Sequence, residues 1–289
     1  MKFFFFGLLL TSTAFAQLEG RWLGVGGVKL SDGTTTLLFD PVITKPELSH
    51  WLFNAELIPN RPLVIERLKL WNVTKAQAVF ISHTHFDHAS DVGPVAELTG
   101  ATVYGGPSLK TLTAYQAPKV PFTLVSNQET VQVGDFRVTF FKRRHAPIIQ
   151  WADWHFHEGD IPKDFKGKFW QFWGGETWSY FVEHPQGNTL IDQGSRFVDE
   201  FRPLAGKIKN YFMGVANKKS IAAMMKENLG VLRPTNVYPI HFDFFFLQSE
   251  TMEHWVMPRM GLEELKEAAK TQHPEIHFEV PVRDALIAL

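Results

Sequence analysis

Ala76-Gln77-Ala78-Val79-Phe80-Ile81-Ser82-His83-Thr84-His85-Phe86-Asp87-His88 is the stretch on which the reading of this chain turns. Its first part, Ala76 to Ile81, is a short apolar run, and by length and flanks it predicts a buried strand. The run then changes character within one residue. His83, His85, Asp87 and His88 place four nitrogen or oxygen donors within six residues. Residues at i and i+2 of an extended chain point to the same side. His83 and His85 therefore form one pair, and the loop beyond them can aim Asp87 and His88 elsewhere. Four donors this close do not fit one ion with relaxed geometry, so two neighbouring ions are expected. Imidazole and carboxylate suit zinc, and also admit iron or manganese. A lone HxH would read as a polar surface loop; the full set directly after a buried strand reads as a metal site.

Outward from this motif, strand and helix signals mix in both halves. Arg21 to Leu30 reads as one strand, Asp32-Gly33 as a hairpin turn, and Thr34 to Phe39 as the returning strand ending at Asp40-Pro41. Helical spacing covers Arg61 to Trp71, and a helix over Val92 to Leu98 is stopped by Gly100. Further strands are expected at 101–104, 122–126, 130–133 and 136–141, the last ending near His145. Pro107 to Ala114 predicts a short helix. Strands over 178–183 and 189–191 follow, and the second runs into Asp192-Gln193-Gly194. Tyr211 to Val215 and Asn236 to Ile240 read as strands, the latter ending at His241. Ser220 to Leu229 reads as a helix capped by Gly230, and Gly261 to Thr271 as a second helix. The candidate donors all stand at or just past strand ends, where sites gather in α/β folds.

Ser82 to His88 resembles the metal signature of the metallo-β-lactamase superfamily. In that superfamily a His, an Asp and a His follow in order, each at a strand end. His145, Asp192 and His241 match that order here. The resemblance implies that His145 joins His83 and His85 on one ion, that His241 joins Asp87 and His88 on the other, and that Asp192 bridges them. Asp40 resembles the family's carboxylate that orients a ligand histidine. His155 and His157 form a second HxH and compete with His145, which is preferred because it follows a strand directly. The implied fold is an α/β, four-layer αβ/βα sandwich. The implied activity is metal-dependent hydrolysis of an ester, lactone or phosphodiester bond, with Asp87 orienting the nucleophile and taking its proton. The chain departs from the β-lactamases proper, which usually lack the bridging Asp and in one subgroup use a Cys ligand. A zinc-binding protein without catalytic activity is the alternative.

Composition bounds the rest. The chain has 289 residues and no cysteine, so no disulfide staples it and any metal is held by nitrogen and oxygen. A net charge of −1 gives no global attraction to nucleic acid, and the cluster Lys142-Arg143-Arg144 reads as a solvated strand end. Met1-Lys2, the apolar run Phe3 to Leu10 and Ala14-Phe15-Ala16 read as a signal peptide over 1–16. That predicts an exported protein, periplasmic or secreted, whose single domain spans 17–289. Residues 146–176 have no clean period and form an aromatic-rich insert. Trp151, Trp154 and Trp170 of that insert, with Phe242 beside the last ligand, are candidate walls for a small-molecule or lipid-like acyl substrate, or for peripheral membrane contact. The plainer reading is that these rings fill the core and pack the insert on itself.

Overall fold

The computed structural model describes residues 17–147, 157–194, 196–247, 255–257 and 260–289. The expected signal peptide, Trp151, Trp154 and His155 lie outside the described residues.

Among the described residues, two seven-stranded sheets carry the fold. The first is built from β1 (Glu19–Gly24), β2 (Gly27–Ser31), β3 (Thr36–Phe39), β4 (Ala78–Phe80), β5 (Thr102–Gly105), β6 (Phe122–Leu124) and β14 (Leu286–Ala288), in the order β14-β1-β2-β3-β4-β5-β6. The second is built from β7 (Thr130–Val133), β8 (Phe136–Arg143), β9 (Thr177–Glu183), β10 (Thr189–Asp192), β11 (Asn210–Gly214), β12 (Asn236–Ile240) and β13 (His277–Phe278), in the order β13-β12-β11-β10-β9-β8-β7. Strands β3 to β6 run parallel, as do β10 to β13; the outer hairpins are antiparallel.

Alternation along the strands sorts the side chains into layers. Leu37, Phe39 and Phe80 join the core shared with the second sheet, whereas Leu38 and Val79 join the core under the outer helices. Phe80 meets Phe140 at 5.8 Å and Tyr180 at 5.7 Å across the sheet interface. Both faces of each sheet are thus covered, which is why the central strands read as unbroken apolar runs. Helices α1 (Leu48–Phe53), α2 (Arg61–Leu70), α3 (Phe86–Ala89), α4 (Val92–Thr99) and α5 (Pro107–Gln116) belong to the first half. In the second half α6 (Ile221–Ala223), a π-turn segment (Met224–Leu229) and α7 (Gly230–Leu232) form one continuous rod, followed by α8 (Leu262–Gln272). The expected four-layer αβ/βα sandwich is the observed one.

Two expectations need correction. Arg21 to Leu30 is a hairpin, not one strand, because Gly24 and Val25 take positive φ values of 99° and 48° and reverse the chain. Gly230 does not cap the second-half rod: it is helical at φ −65°, and the rod ends at Arg233, which is left-handed. The hairpin turn has a structural use. The Val25 carbonyl accepts from the His241 amide at 2.7 Å, and the Val25 amide donates to the Asp243 carboxylate at 2.9 and 3.1 Å. The first sheet is thereby pinned to the loop that ends β12.

Candidate metal centre

The motif His83 to His88 leaves β4 and turns at once into α3, so its four donors fan around one point. His83, His85 and His145 each offer a ring nitrogen within 4.8 Å of the others. The second triad closes around Asp87: His88 Nε2 lies 3.5 Å and His241 Nε2 3.4 Å from Asp87 Oδ2, and the two imidazole nitrogens stand 3.1 Å apart. His83 also groups with Asp87 and His88, so the two triads are neighbours. All six residues are buried or nearly so.

Behind the donors lies a carboxylate. Asp40, in the left-handed region at φ 42°, accepts from the Ser82 amide and hydroxyl at 2.6 Å each and from His88 Nδ1 at 2.7 Å. With its proton given to Asp40, the Ser82 hydroxyl accepts from His83 Nδ1 at 3.0 Å. That network assigns the protons to Nδ1 of His83 and His88 and leaves both Nε2 atoms as lone-pair donors. His241 is also left-handed, at φ 61°. Such backbone costs energy and is kept where the surroundings dictate it.

The electrostatics agree with a cation site. Burial pushes His83 well below its ordinary value, and the neighbouring His88 and His85 push it further. Burial, then His85, lowers His145 to about 3. Burial alone would raise the Asp87 carboxyl, but His88 and His241 outweigh it and hold it below the usual carboxylate range. Burial lowers His88, and Asp87 and Asp40 more than restore it, so it is raised. His83 Nε2, His145 Nδ1 and His241 Nδ1 are buried without a hydrogen-bond partner. Uncapped, mutually facing imidazoles beside an ionised carboxylate are costly without a cation between them. The donor set fits divalent ions.

Asp192 is the expected ligand that the structure does not bring to this cluster. Its Oδ1 accepts from Arg143 Nη1 at 2.7 Å, and both side chains are at most 2% exposed. The solvated strand end expected at Lys142-Arg143-Arg144 is corrected accordingly at Arg143. His145 holds its place against His157, which stacks on Trp170 instead.

A cavity of about 480 Å³ opens beside the donors His85, Asp87, His145 and His241. Its other walls include Trp51, Phe86, Phe245, Phe246 and Met257. Two of the candidate wall residues fall elsewhere. Phe242 packs on Trp22 at 4.7 Å in the inter-sheet core, because the first residue past His241 turns inward. Trp170 contacts the cavity wall through Trp51, at 5.5 Å between rings. Phe165, Phe169 and Phe172 of the insert are buried, as the plainer reading of that segment had it. Sequence reasoning missed Ser82, although it directly precedes the motif, and Trp51, which no local signal marks.

The family model described as the metallo-beta-lactamase superfamily matches residues 28–166. The two-sheet sandwich and the His83-x-His85-x-Asp87-His88 motif agree with that likeness. Among curated relatives, the "UPF0173 metal-dependent hydrolase" of Rubrobacter xylanophilus is 32% identical over 158 residues, 55% of this chain and 60% of that one. The chain spans between 50% and 60% of the length of the first curated relatives it matches. Among solved structures, Igni18, a metallo hydrolase from Ignicoccus hospitalis, shares 13% identity at a TM-score of 0.60, covering 94% of this chain and 97% of its own. CmlA, a diiron β-hydroxylase from Streptomyces venezuelae, shares 12% identity at the same TM-score, covering 94% and 54%. At such identities the likeness is one of fold, and the fold carries more than one chemistry.

Proposed function

We propose that this protein is a metal-dependent hydrolase with two divalent ions, zinc by preference, acting on an ester, lactone or phosphodiester bond of a substrate with an apolar acyl part. The observation that carries the reading is the pair of neighbouring triads, His83/His85/His145 and Asp87/His88/His241, opening on one cavity. Ions held there supply a water-derived nucleophile near neutral pH and polarise the bond attacked. The chain's own residues do the rest. Asp40 and Ser82 fix the His88 and His83 rings. Asp87, held ionised, orients the nucleophile. Phe245, Phe246, Met257 and Trp51 favour an apolar chain over a charged one and exclude water from the reacting edge. The exposed Leu52 and Phe53 of α1 and the half-exposed Phe246 support delivery of that substrate from a lipid surface.

Export, and with it a periplasmic or secreted location, remains a proposal resting on the sequence of residues 1–16. The test is elemental analysis of the chain from Gln17, with a screen of phosphodiesters, lactones and acyl esters of graded chain length. About two zinc per chain and chelator-sensitive turnover of one bond class support the reading. Two ions with no turnover of any class would favour a zinc-binding protein without catalysis.

A further inference from the structure

We propose that Asp192 is not a bridging ligand in this chain but one half of a buried Arg143–Asp192 clamp that sets the strand end carrying His145, so that Arg143 is a positioning residue for the first triad. The inference rests on the reading of the two triads as ion-holding.

Strand register decides which way Asp192 faces. Ile191 pairs with Tyr180, and Tyr180 meets Phe39 of the other sheet at 5.2 Å, so Ile191 faces the inter-sheet core. The next residue, Asp192, falls on the opposite, outer face of β10. The contacts agree. Its Oδ1 accepts from Arg143 Nη1, from Ser179 Oγ at 2.7 Å and from the Gly194 amide at 2.9 Å. Its Oδ2 accepts from the Tyr211 hydroxyl at 3.3 Å, and Tyr211 in turn accepts from Asn228 Nδ2 at 2.9 Å. A carboxylate with four donors, one of them a guanidinium, is compensated inside the protein and needs no cation.

Arg143 is tied through both Nη atoms. Its guanidinium also donates to Ser179 Oγ at 3.2 Å and to the Arg196 carbonyl, and lies over the Phe201 ring at 4.8 Å from the centroid. Arg143 is the last residue of β8, two positions before His145. The clamp reaches from β8 across β9, through Ser179, to the end of β10. It fixes the point from which the chain leaves the sheet to present His145. The His145 ring then stands 4.8 Å from both His83 and His85. A buried planar guanidinium that divides its donors among a carboxylate, a hydroxyl and a carbonyl is a directional joint, which an ordinary apolar contact is not.

The test uses the conservative pair Arg143→Lys and Asp192→Asn, alone and together, with Leu265→Ala as a buried control outside the centre. Melting in excess chelator reads the clamp without metal. Cobalt titration, with its visible spectrum, reads the number of ions and the geometry of the imidazole site. The clamp predicts that both single variants lower the midpoint of the metal-free chain and that the double variant is no worse than either single one. It also predicts that both keep two cobalt ions, bind the first at least about tenfold more weakly, and shift the cobalt spectrum in the same way, while Leu265→Ala leaves the spectrum unchanged. The proposal is overturned if Asp192→Asn loses one ion while Arg143→Lys keeps two with the parent spectrum. Additive losses of stability in the metal-free chain would overturn it as well. A chain that binds no cobalt in its parent form would sink the metal reading and leave the clamp to be judged by the melts alone.

Discussion

His88 Nδ1 lies 2.7 Å from Asp40 Oδ2, a bond between residues 48 positions apart that leaves His88 Nε2 facing the site. The carboxylate does two things at once: it fixes the tautomer and it stops the ring from turning. Asp40→Asn keeps the shape but can flip, offering the ring an amide donor where it needs an acceptor. The variant is expected to bind zinc about tenfold to a hundredfold more weakly, as outer-shell partners of ligand histidines do. Competition with a chromogenic chelator measures it. Unchanged zinc affinity would remove Asp40 from the machinery.

Acid should weaken the metal-free chain. His83 and His145 both have folded values below the ordinary 6.5, His145 at about 3. The unfolded chain therefore takes up their protons first as pH falls. Their contribution is complete above about pH 6.5 and is lost progressively toward pH 3. Asp87, also lowered, adds a loss in the same direction below the ordinary carboxylate value. His88 is raised and acts oppositely, its stability being present below 6.5 and lost as pH rises through its folded value. Melts in chelator between pH 7.5 and 4 should show a falling midpoint, and His145→Gln should flatten part of the fall. A midpoint that rises on acidification would contradict the placement of these rings.

Metal removal should be costly at any pH above that range. A ligand present at a thousand times its dissociation constant stabilises the folded state by about 4 kcal/mol. A matched pair of melts, zinc-loaded and chelated at neutral pH, is expected to differ by several degrees, the zinc-loaded chain being the higher. Coincident melts would mean that the triads do not hold the ion tightly.

The cavity wall predicts a selective kinetic defect. Phe245 and Met257 line the space beside His241 and are each less than a tenth exposed. Phe245→Ala and Met257→Ala should raise KM for long acyl chains several-fold while changing short substrates little, since each lost methylene contact is worth about 0.8 kcal/mol. Equal effects on long and short substrates would assign the rings to packing rather than to recognition.

Gly175 offers a stability test next to the motif. Its φ is +59°, and a Cβ there would stand 2.6 Å from Ser108 Cβ and 2.8 Å from Thr84 Oγ1. The same loop is laced to the motif, since the Thr84 amide donates to the Gly174 carbonyl at 2.9 Å. Gly175→Ala should cost about 1–3 kcal/mol in chemical denaturation. A loss below a few tenths would mean that the loop moves aside freely.

The part of the centre legible in the sequence was the part that is local. Four donors in six residues after an apolar run announce themselves, and the apolar run became β4. His145 and His241 were picked out by the resemblance and by their place after strands, a weaker signal; β8 ends at Arg143 and β12 at Ile240. What eluded the sequence depends on contacts that local pattern does not encode. Asp192 has the right type and position along the chain, yet its direction is set by register against Ser179 and by the partner 49 residues away. Phe242 and Phe245 look alike in sequence; one turns to Trp22 and the other to the cavity. The hairpin break at Val25 was hidden because neither Gly24 nor Gly26 interrupts the apolar pattern.

The bonds from Val25 to His241 and Asp243 bind opposite ends of the chain at the site itself. A nascent chain that has emerged only through β6 already displays His83, His85, Asp87 and His88, but neither triad has its third member. On the proposed reading, tight ion capture would then wait for the residues that follow β8 and β12, which supply His145 and His241. On that reading, an ion held by both triads would report a finished chain, and a chain truncated before His241 would lack one member of the second triad.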